Sequence, residues 1–173
     1  MSNSFKTKKS SLTSTPSNMI KYPRIDRAID KAVTIKALTK DEDSSQGAVF
    51  PTMWQLLIFA SMLGYRNSRR EPLTKIDNGK SINFELFSKD PCFEGVLNLF
   101  SLMEDENERL LTTSEENNKR KVKLFEEYAN GGLAILKEEL ETADYRLESV
   151  ITLIAEELHK GPRVDESLDS IQI

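Results

Sequence analysis

A chain of 173 residues with 38% apolar content is long enough to bury one hydrophobic core without disulfides or a structural metal. Its charged fraction of 30% mixes both signs and leaves a net charge of -4, which excludes a polybasic nucleic-acid module and confines any nucleic-acid contact to a local patch. One cysteine, Cys92, and one histidine, His159, exclude an intrachain disulfide and a zinc site of any usual ligand count.

Residues 1–22 are rich in Ser, Thr and Lys and are expected to form a disordered arm. Lys6, Lys8, Lys9 and Lys21 read either as part of a solvated leader or as a basic arm that touches an acidic partner or phosphates. No apolar segment of signal-peptide type follows them, and no run of about 18 apolar residues occurs that could span a membrane, so a cytoplasmic protein is expected. After Tyr22 and Pro23, the residues Ile25, Ala28, Ile29, Ala32, Val33 and Ala37 or Leu38 recur at three- and four-residue steps. They predict an amphipathic helix over 26–39, followed by a polar loop over 41–47.

Residues 50–64, FPTMWQLLIFASMLG, are too apolar to leave a whole face in water, and predict a central helix over 52–63. Thr52 and Gln55 have the spacing of a capping box, and Gly64 is expected to end the helix with a positive φ. A helix of about 13 residues rises only about 20 Å, so it suits the axis of a bundle better than a bilayer. Arg66, Arg69 and Arg70 follow it. They read either as caps on the carbonyl end of the helix or as a loop that holds a phosphate or carboxylate.

Asp77 to Lys80 form a turn signal with Gly79 at positive φ. Glu71, Lys75 and Asp77 could be drawn as a nuclease-like set, but turn chemistry already accounts for Asp77. Residues 81–88 predict a short helix in preference to a strand-like segment. Asp90 and Pro91 start a further helix running to Met103, with Phe93, Val96, Leu97, Phe100 and Met103 on its inner face and Cys92 beside it as a small buried hydrophobe. An acidic loop over 104–108 leads to a capping box from Thr113 to Glu116 and the longest helix.

In that helix Val122, Phe125, Ala129, Leu133, Leu136 and Leu140 hold one register straight through Asn130, Gly131 and Gly132. Each glycine in a helix interior costs about 1 kcal/mol, so the pair marks either a kink or the close approach of another backbone or a ligand. Lys119, Arg120, Lys121 and Lys123 read as a solvated face. Asp144 caps a last helix with Leu147, Val150, Ile151, Ile154, Ala155 and Leu158 on its apolar side, ended by Gly161 and Pro162. His159 in its final turn is expected to cap carbonyls. Residues 161–173 are expected to form a flexible tail.

No glycine-rich phosphate loop, nucleophile elbow, paired-histidine helix or cysteine pair is present in the sequence, so no enzyme acting alone and no cofactor are expected. The fold expected is all-α: one compact bundle of five or six helices over residues 23–160, packed around the helix from 52 to 63.

Two stretches, FPTMWQLLIFASMLGYRNSRREPL at 50–73 and LFEEYANGGLAILKEEL at 124–140, resemble the signature blocks of the DNA phosphorothioation-associated protein 4 family, also called Dnd system-associated protein 4. The resemblance covers residues 24–158. It implies a small bacterial protein encoded near the genes that place sulfur in the DNA backbone, and hence a setting in defence against foreign DNA. Within these blocks Arg66, Arg69, Arg70 and Glu71, with Tyr128, Asn130, Gly131 and Gly132, are the candidate binding residues, expected to share one surface. The reading that follows is a non-catalytic accessory subunit that binds double-stranded DNA, another protein of the defence system, or both. A transcription regulator of the defence genes and a nuclease-associated subunit are the alternatives. The regulator needs a polar recognition helix, for which only the Lys119 to Lys123 end of the long helix offers material.

Overall fold

The computed structural model describes residues 23–39, 48–104, 109–112, 114–141 and 146–161. Among them the chain forms six α-helices: α1 Ala32–Leu38, α2 Met53–Arg66, α3 Phe84–Phe87, α4 Phe93–Glu104, α5 Glu115–Glu141 and α6 Arg146–His159. The architecture is all-α, with α2 packed along α5 at its centre. Short 3-10 turns precede α1, at Ile29–Lys31, and α5, at Arg109–Leu111. The arm over 1–22, the loop over 41–47, the acidic residues 105–108, the predicted caps Thr113 and Asp144, and the tail after Gly161 lie outside the described residues.

The N-terminal segment differs from the helix expected over 26–39. Residues 25–28 are extended and make isolated antiparallel bridges, Ile25 with Ile82 and Ala28 with Ile76. Helix begins only after them. The buried positions are then Lys31, Thr34, Ile35 and Leu38, whereas Ile29 and Val33 face solvent. Ile25, Ala28 and Leu38 are buried as the period predicts, but Ile25 and Ala28 lie in extended backbone, so the period does not trace one helical face and Ile29 and Val33 turn outward.

α2 starts on Thr52, whose hydroxyl oxygen accepts the Gln55 N–H at 3.4 Å and whose own hydrogen goes to Gln55 Oε1 at 2.8 Å. It does not stop at Gly64. The helix runs to Arg66 and ends in a reversed turn: Ser68 N–H donates to Tyr65 O at 3.0 Å, Arg69 N–H donates to Gly64 O at 2.8 Å, and Ser68 takes φ 53. This pair of bonds is the Schellman arrangement, with serine where glycine is usual. Gly64 instead lies inside the helix, against α5.

α3 and α4 stack aromatic rings on α5. Phe87, Phe93 and Phe125 meet edge-on or tilted at 5.0 to 5.6 Å between centroids, and all three are buried. Asp90 acts as the cap expected of it by accepting the Cys92 N–H at 2.8 Å. Cys92 is exposed, because it sits in the turn ahead of the helix and not on its inner face. Met103 is likewise exposed, while Phe93, Val96, Leu97 and Phe100 are buried as expected.

α5 is one unbroken helix of 27 residues, about 40 Å long, so the two glycines do not divide it. Ser114 caps it: its Oγ accepts the Asn117 N–H at 3.1 Å and its carbonyl accepts the Asn118 N–H at 2.9 Å. α6 is turned from its expected orientation. Val150, Leu153 and Glu157 face inward, whereas Leu147, Ile151, Ile154 and Leu158 are exposed. Glu157 turns inward toward Arg66 of α2, whose Nε donates to its carboxylate and whose Nη2 donates to its carbonyl. Gly161, at φ 71, follows the helix end.

Candidate functional site

The two motif blocks meet. Gly64, Gly131 and Gly132 form the contact, and each lacks the one atom that would prevent it. A Cβ on Gly132 would lie 2.6 Å from the carbonyl carbon of Ala60, and one on Gly131 would lie 2.7 Å from that of Arg69. A Cβ on Gly64 would lie 2.9 Å from the Gly132 nitrogen. Of the two readings of the glycine pair, close backbone approach holds and the kink does not. The approaching backbone is the chain's own.

The loop after α2 is then fastened to α5 along its length. Glu71 N–H donates to the Glu127 carbonyl at 3.0 Å, a helix-interior oxygen. Asn130 Nδ2 donates to the carbonyls of Glu71 and Pro72, each at 3.3 Å. Tyr128 joins a cluster with Tyr65 and Phe100, at 5.6 and 4.8 Å, and Arg70 lies 6.0 Å above its ring. Tyr128, Asn130, Gly131 and Gly132 are thus brought to one place, where each serves the joint between α2 and α5.

All three arginines are engaged by carboxylates of the same chain. Arg66 Nε donates to Glu157 Oε2 at 2.7 Å, and its Nη2 donates to the carbonyls of Glu157 and Gly161. Arg69 bridges Glu71 and Glu138, both at 2.8 Å. Arg70 bridges Glu127 at 2.6 Å and Glu104 at 2.7 Å. Glu71 also meets the buried Lys31, at 3.6 Å. The side chains of Arg69 and Arg70 keep about a third of their surface in water, at 33% and 36%.

These pairs fix the charges. Hydrogen bonds to Glu138 and Glu71 hold the Arg69 guanidinium further above its already high range, and Arg69 in return holds the Glu138 carboxyl below the usual range. Burial works against the Glu157 carboxylate, but bonds from Lys160, Arg66 and Asn67 outweigh it and keep its pKa low. Glu126 is the contrary case. Burial pushes its carboxyl up to about 7, although Oε1 accepts the Asp26 N–H at 2.6 Å.

The nuclease-like set is not assembled as a metal centre. Asp77 is held by Arg27 at 2.6 Å and Glu71 by Arg69 and Lys31. Among the described residues no group of three or more His, Cys, Asp or Glu side chains is placed to hold a metal ion. No helix of the described residues is long and apolar enough to cross a membrane.

The feature that sequence reasoning missed is on α6. Leu147, Ile151, Ile154 and Leu158 are 55%, 56%, 38% and 75% exposed and form one stripe. Beside it runs a largely apolar groove of about 270 Å³, lined by Phe59, Met62, Leu63, Tyr65 and Arg66 of α2 and by Leu153, Ile154, Glu157 and Leu158 of α6. The signal lies in the spacing itself: Val150, Leu153 and Glu157 share a second helical face, narrower than the apolar one, and the glutamate in it masks that face in the sequence.

A family model, DNA sulphur modification system-associated protein 4, matches residues 24–173. The match takes in both motif blocks and continues past residue 158, while residues 1–23 lie outside it. No curated protein and no solved structure matches the chain.

Proposed function

The chain belongs to the DNA sulphur modification system-associated protein 4 family, and we propose that it serves that system as a non-catalytic accessory subunit working through protein–protein contact. The observation that carries this reading is the exposed apolar stripe of α6 with the groove beside it. Contiguous apolar surface of this kind, on a chain that is 30% charged, marks a contact site.

The arginines favour protein over DNA as the first partner. To grip a phosphate with two parallel N–H bonds, Arg69 would have to give up Glu71 or Glu138, and Arg70 would have to give up Glu127 or Glu104. Their remaining exposure suits a polar contact that sets the orientation of a partner protein. Direct DNA contact is the second reading, favoured by the exposed Lys119, Arg120 and Lys123 on α5.

The test has two arms. Co-expressed with the other proteins of the system, the tagged chain should retain at least one of them through washing, and the variant Ile151→Glu/Leu158→Glu should lose it. In the second arm, fluorescence anisotropy follows a labelled duplex, with and without phosphorothioate, at about 50 and about 200 mM salt, a range over which phosphate contacts weaken by orders of magnitude. The isolated chain should not bind at the lower salt. Binding there that vanishes at the higher salt and in Lys119→Glu/Lys123→Glu would replace the protein reading with the DNA one.

A further inference from the structure

We infer that the cavity between α3, α4 and α5 is a binding site for a small zwitterion of the α-amino acid type, with its carboxylate on Lys121 and Asn98 and its ammonium toward Asp90 and Glu94. The cavity measures about 300 Å³, at the lower end of the range for small-molecule sites. It shares no lining residue with the groove beside α6, so the inference stands apart from the reading of that surface. Phe84, Phe93 and Leu97 form its apolar side, with the two rings 5.2 Å apart and Phe93 and Leu97 buried. Lys121, Asn98, Asp90 and Glu94 face the same space.

Lys121 carries the argument. It is only 5% exposed, yet among the described residues no carboxylate forms an ion pair with it. Its Nζ donates to Asn98 Oδ1 at 3.2 Å and to the Leu111 carbonyl at 3.4 Å, both long for an ammonium, and has a third hydrogen to give. Burial lowers its pKa, and the charge of Glu94 opposes that shift without closing to an ion pair. An ammonium placed in this way gains from an added carboxylate, which returns the solvation that burial removed. Lysine only donates, so the oxygen end of the Asn98 amide faces it and the nitrogen end keeps both hydrogens for another acceptor. Two neighbouring donors are thereby set for the two oxygens of one carboxylate.

The acidic side chains exclude simpler ligands. Asp90 spends Oδ1 on the Cys92 N–H and keeps Oδ2, and Glu94 is exposed with no partner among the described residues. A pure anion would meet these two carboxylates, and a pure cation would meet Lys121. A zwitterion answers both signs at once, and an apolar side chain on it would lie against Phe84, Phe93 and Leu97.

Titration calorimetry of the full chain with each of the apolar L-amino acids, carried to about 10 mM so that millimolar affinity registers, tests the inference. At least one should bind. Lys121→Met keeps the stem and removes the charge, and should weaken that binding at least about tenfold with helicity by circular dichroism unchanged. Glu94→Lys, at an exposed position, should weaken it as much, and reads the site even if Lys121→Met fails to fold. The acid and the amine that each keep only one charged group of the bound amino acid should both bind more weakly than it does. No binding by any apolar amino acid overturns the inference, and so does binding that survives Glu94→Lys or a folded Lys121→Met. Equal binding of the acid alone would overturn the zwitterion and the part given to Asp90 and Glu94.

Discussion

Gly132 of α5 lies against the carbonyl of Ala60 in α2, so near that a Cβ would stand 2.6 Å from the carbonyl carbon. The obstacle is backbone, which cannot swing aside as a side chain can. Gly132→Ala should therefore cost at least about 3 kcal/mol by forcing α2 and α5 apart. Gly95→Ala supplies the contrast. It lies in α4 with nothing within 4 Å of the added atom, so the better helix former should raise stability by about 0.5–1 kcal/mol. Urea unfolding of both variants checks the pair, and equal costs would refute the close-contact account.

Ser68 provides the opposite test of a glycine. It occupies the left-handed position that ends α2, at φ 53, where a Cβ is strained. Ser68→Gly should stabilise the fold by about 0.5–1 kcal/mol, whereas Gly64→Ala should destabilise it severely. A gain from Gly64→Ala in thermal unfolding would refute the close contact of Gly64 with α5, and it would equally exclude a positive-φ terminator there, since either role demands glycine.

Glu126 should make stability depend on pH in an unusual direction for a carboxylate. Its folded pKa of about 7 stands above the ordinary 4.5, so between these values the folded state holds more proton than the unfolded one. The contribution from protonated Glu126 is complete below about pH 4.5 and is lost as pH rises through 7. Glu126→Gln keeps an oxygen for the Asp26 N–H and removes the charge. It should stabilise the protein by roughly 1–3 kcal/mol at pH 8 and have little effect at pH 4. Denaturant titrations at the two pH values decide it, and a pH-independent difference would show that Glu126 does not titrate in this range.

The helical class, α2 and the unbroken register of α5 were legible because they rest on local period and capping, at Thr52, Asp90 and Phe125 for example. The faces of α1 and α6 were not. Ile25 and Ala28 are buried by bridges to Ile82 and Ile76, about fifty residues away, and no local pattern announces such pairing. On α6 the apolar stripe was the strongest pattern in the chain, yet the helix turns it outward because Arg66 binds Glu157 on the other side. The candidate site was half legible. Arg69, Arg70, Tyr128, Asn130 and the glycines lie close together, with Asn130 on the Glu71 and Pro72 carbonyls, Arg70 over the Tyr128 ring and Gly131 against the Arg69 backbone. That the arginines are neutralised there depends on Glu104, Glu127 and Glu138, which composition showed only as part of a general acidic excess.

The clamp between α2 and α6 gives the last prediction. Arg66 reaches Glu157 through both its carboxylate and its carbonyl, and also reaches the Gly161 carbonyl, so one guanidinium closes the end of α6 onto the end of α2. α6 has few other anchors, since only Val150, Leu153 and Glu157 are buried along it. Removing the guanidinium leaves the buried Glu157 with Lys160 as its remaining ion-pair partner, at 2.6 Å. Arg66→Ala should therefore cost about 2–3 kcal/mol, concentrated in α6. Arg66→Lys should recover little of this, because a point charge cannot serve a carboxylate and two carbonyls in one plane. Hydrogen exchange should show the amides of Val150 and Leu153 losing protection while those of Leu56 and Leu133 in the α2–α5 joint keep theirs. Uniform loss across both helix pairs would mean that α6 is part of the same cooperative unit, and the clamp would then be a global support of the fold and not a local latch.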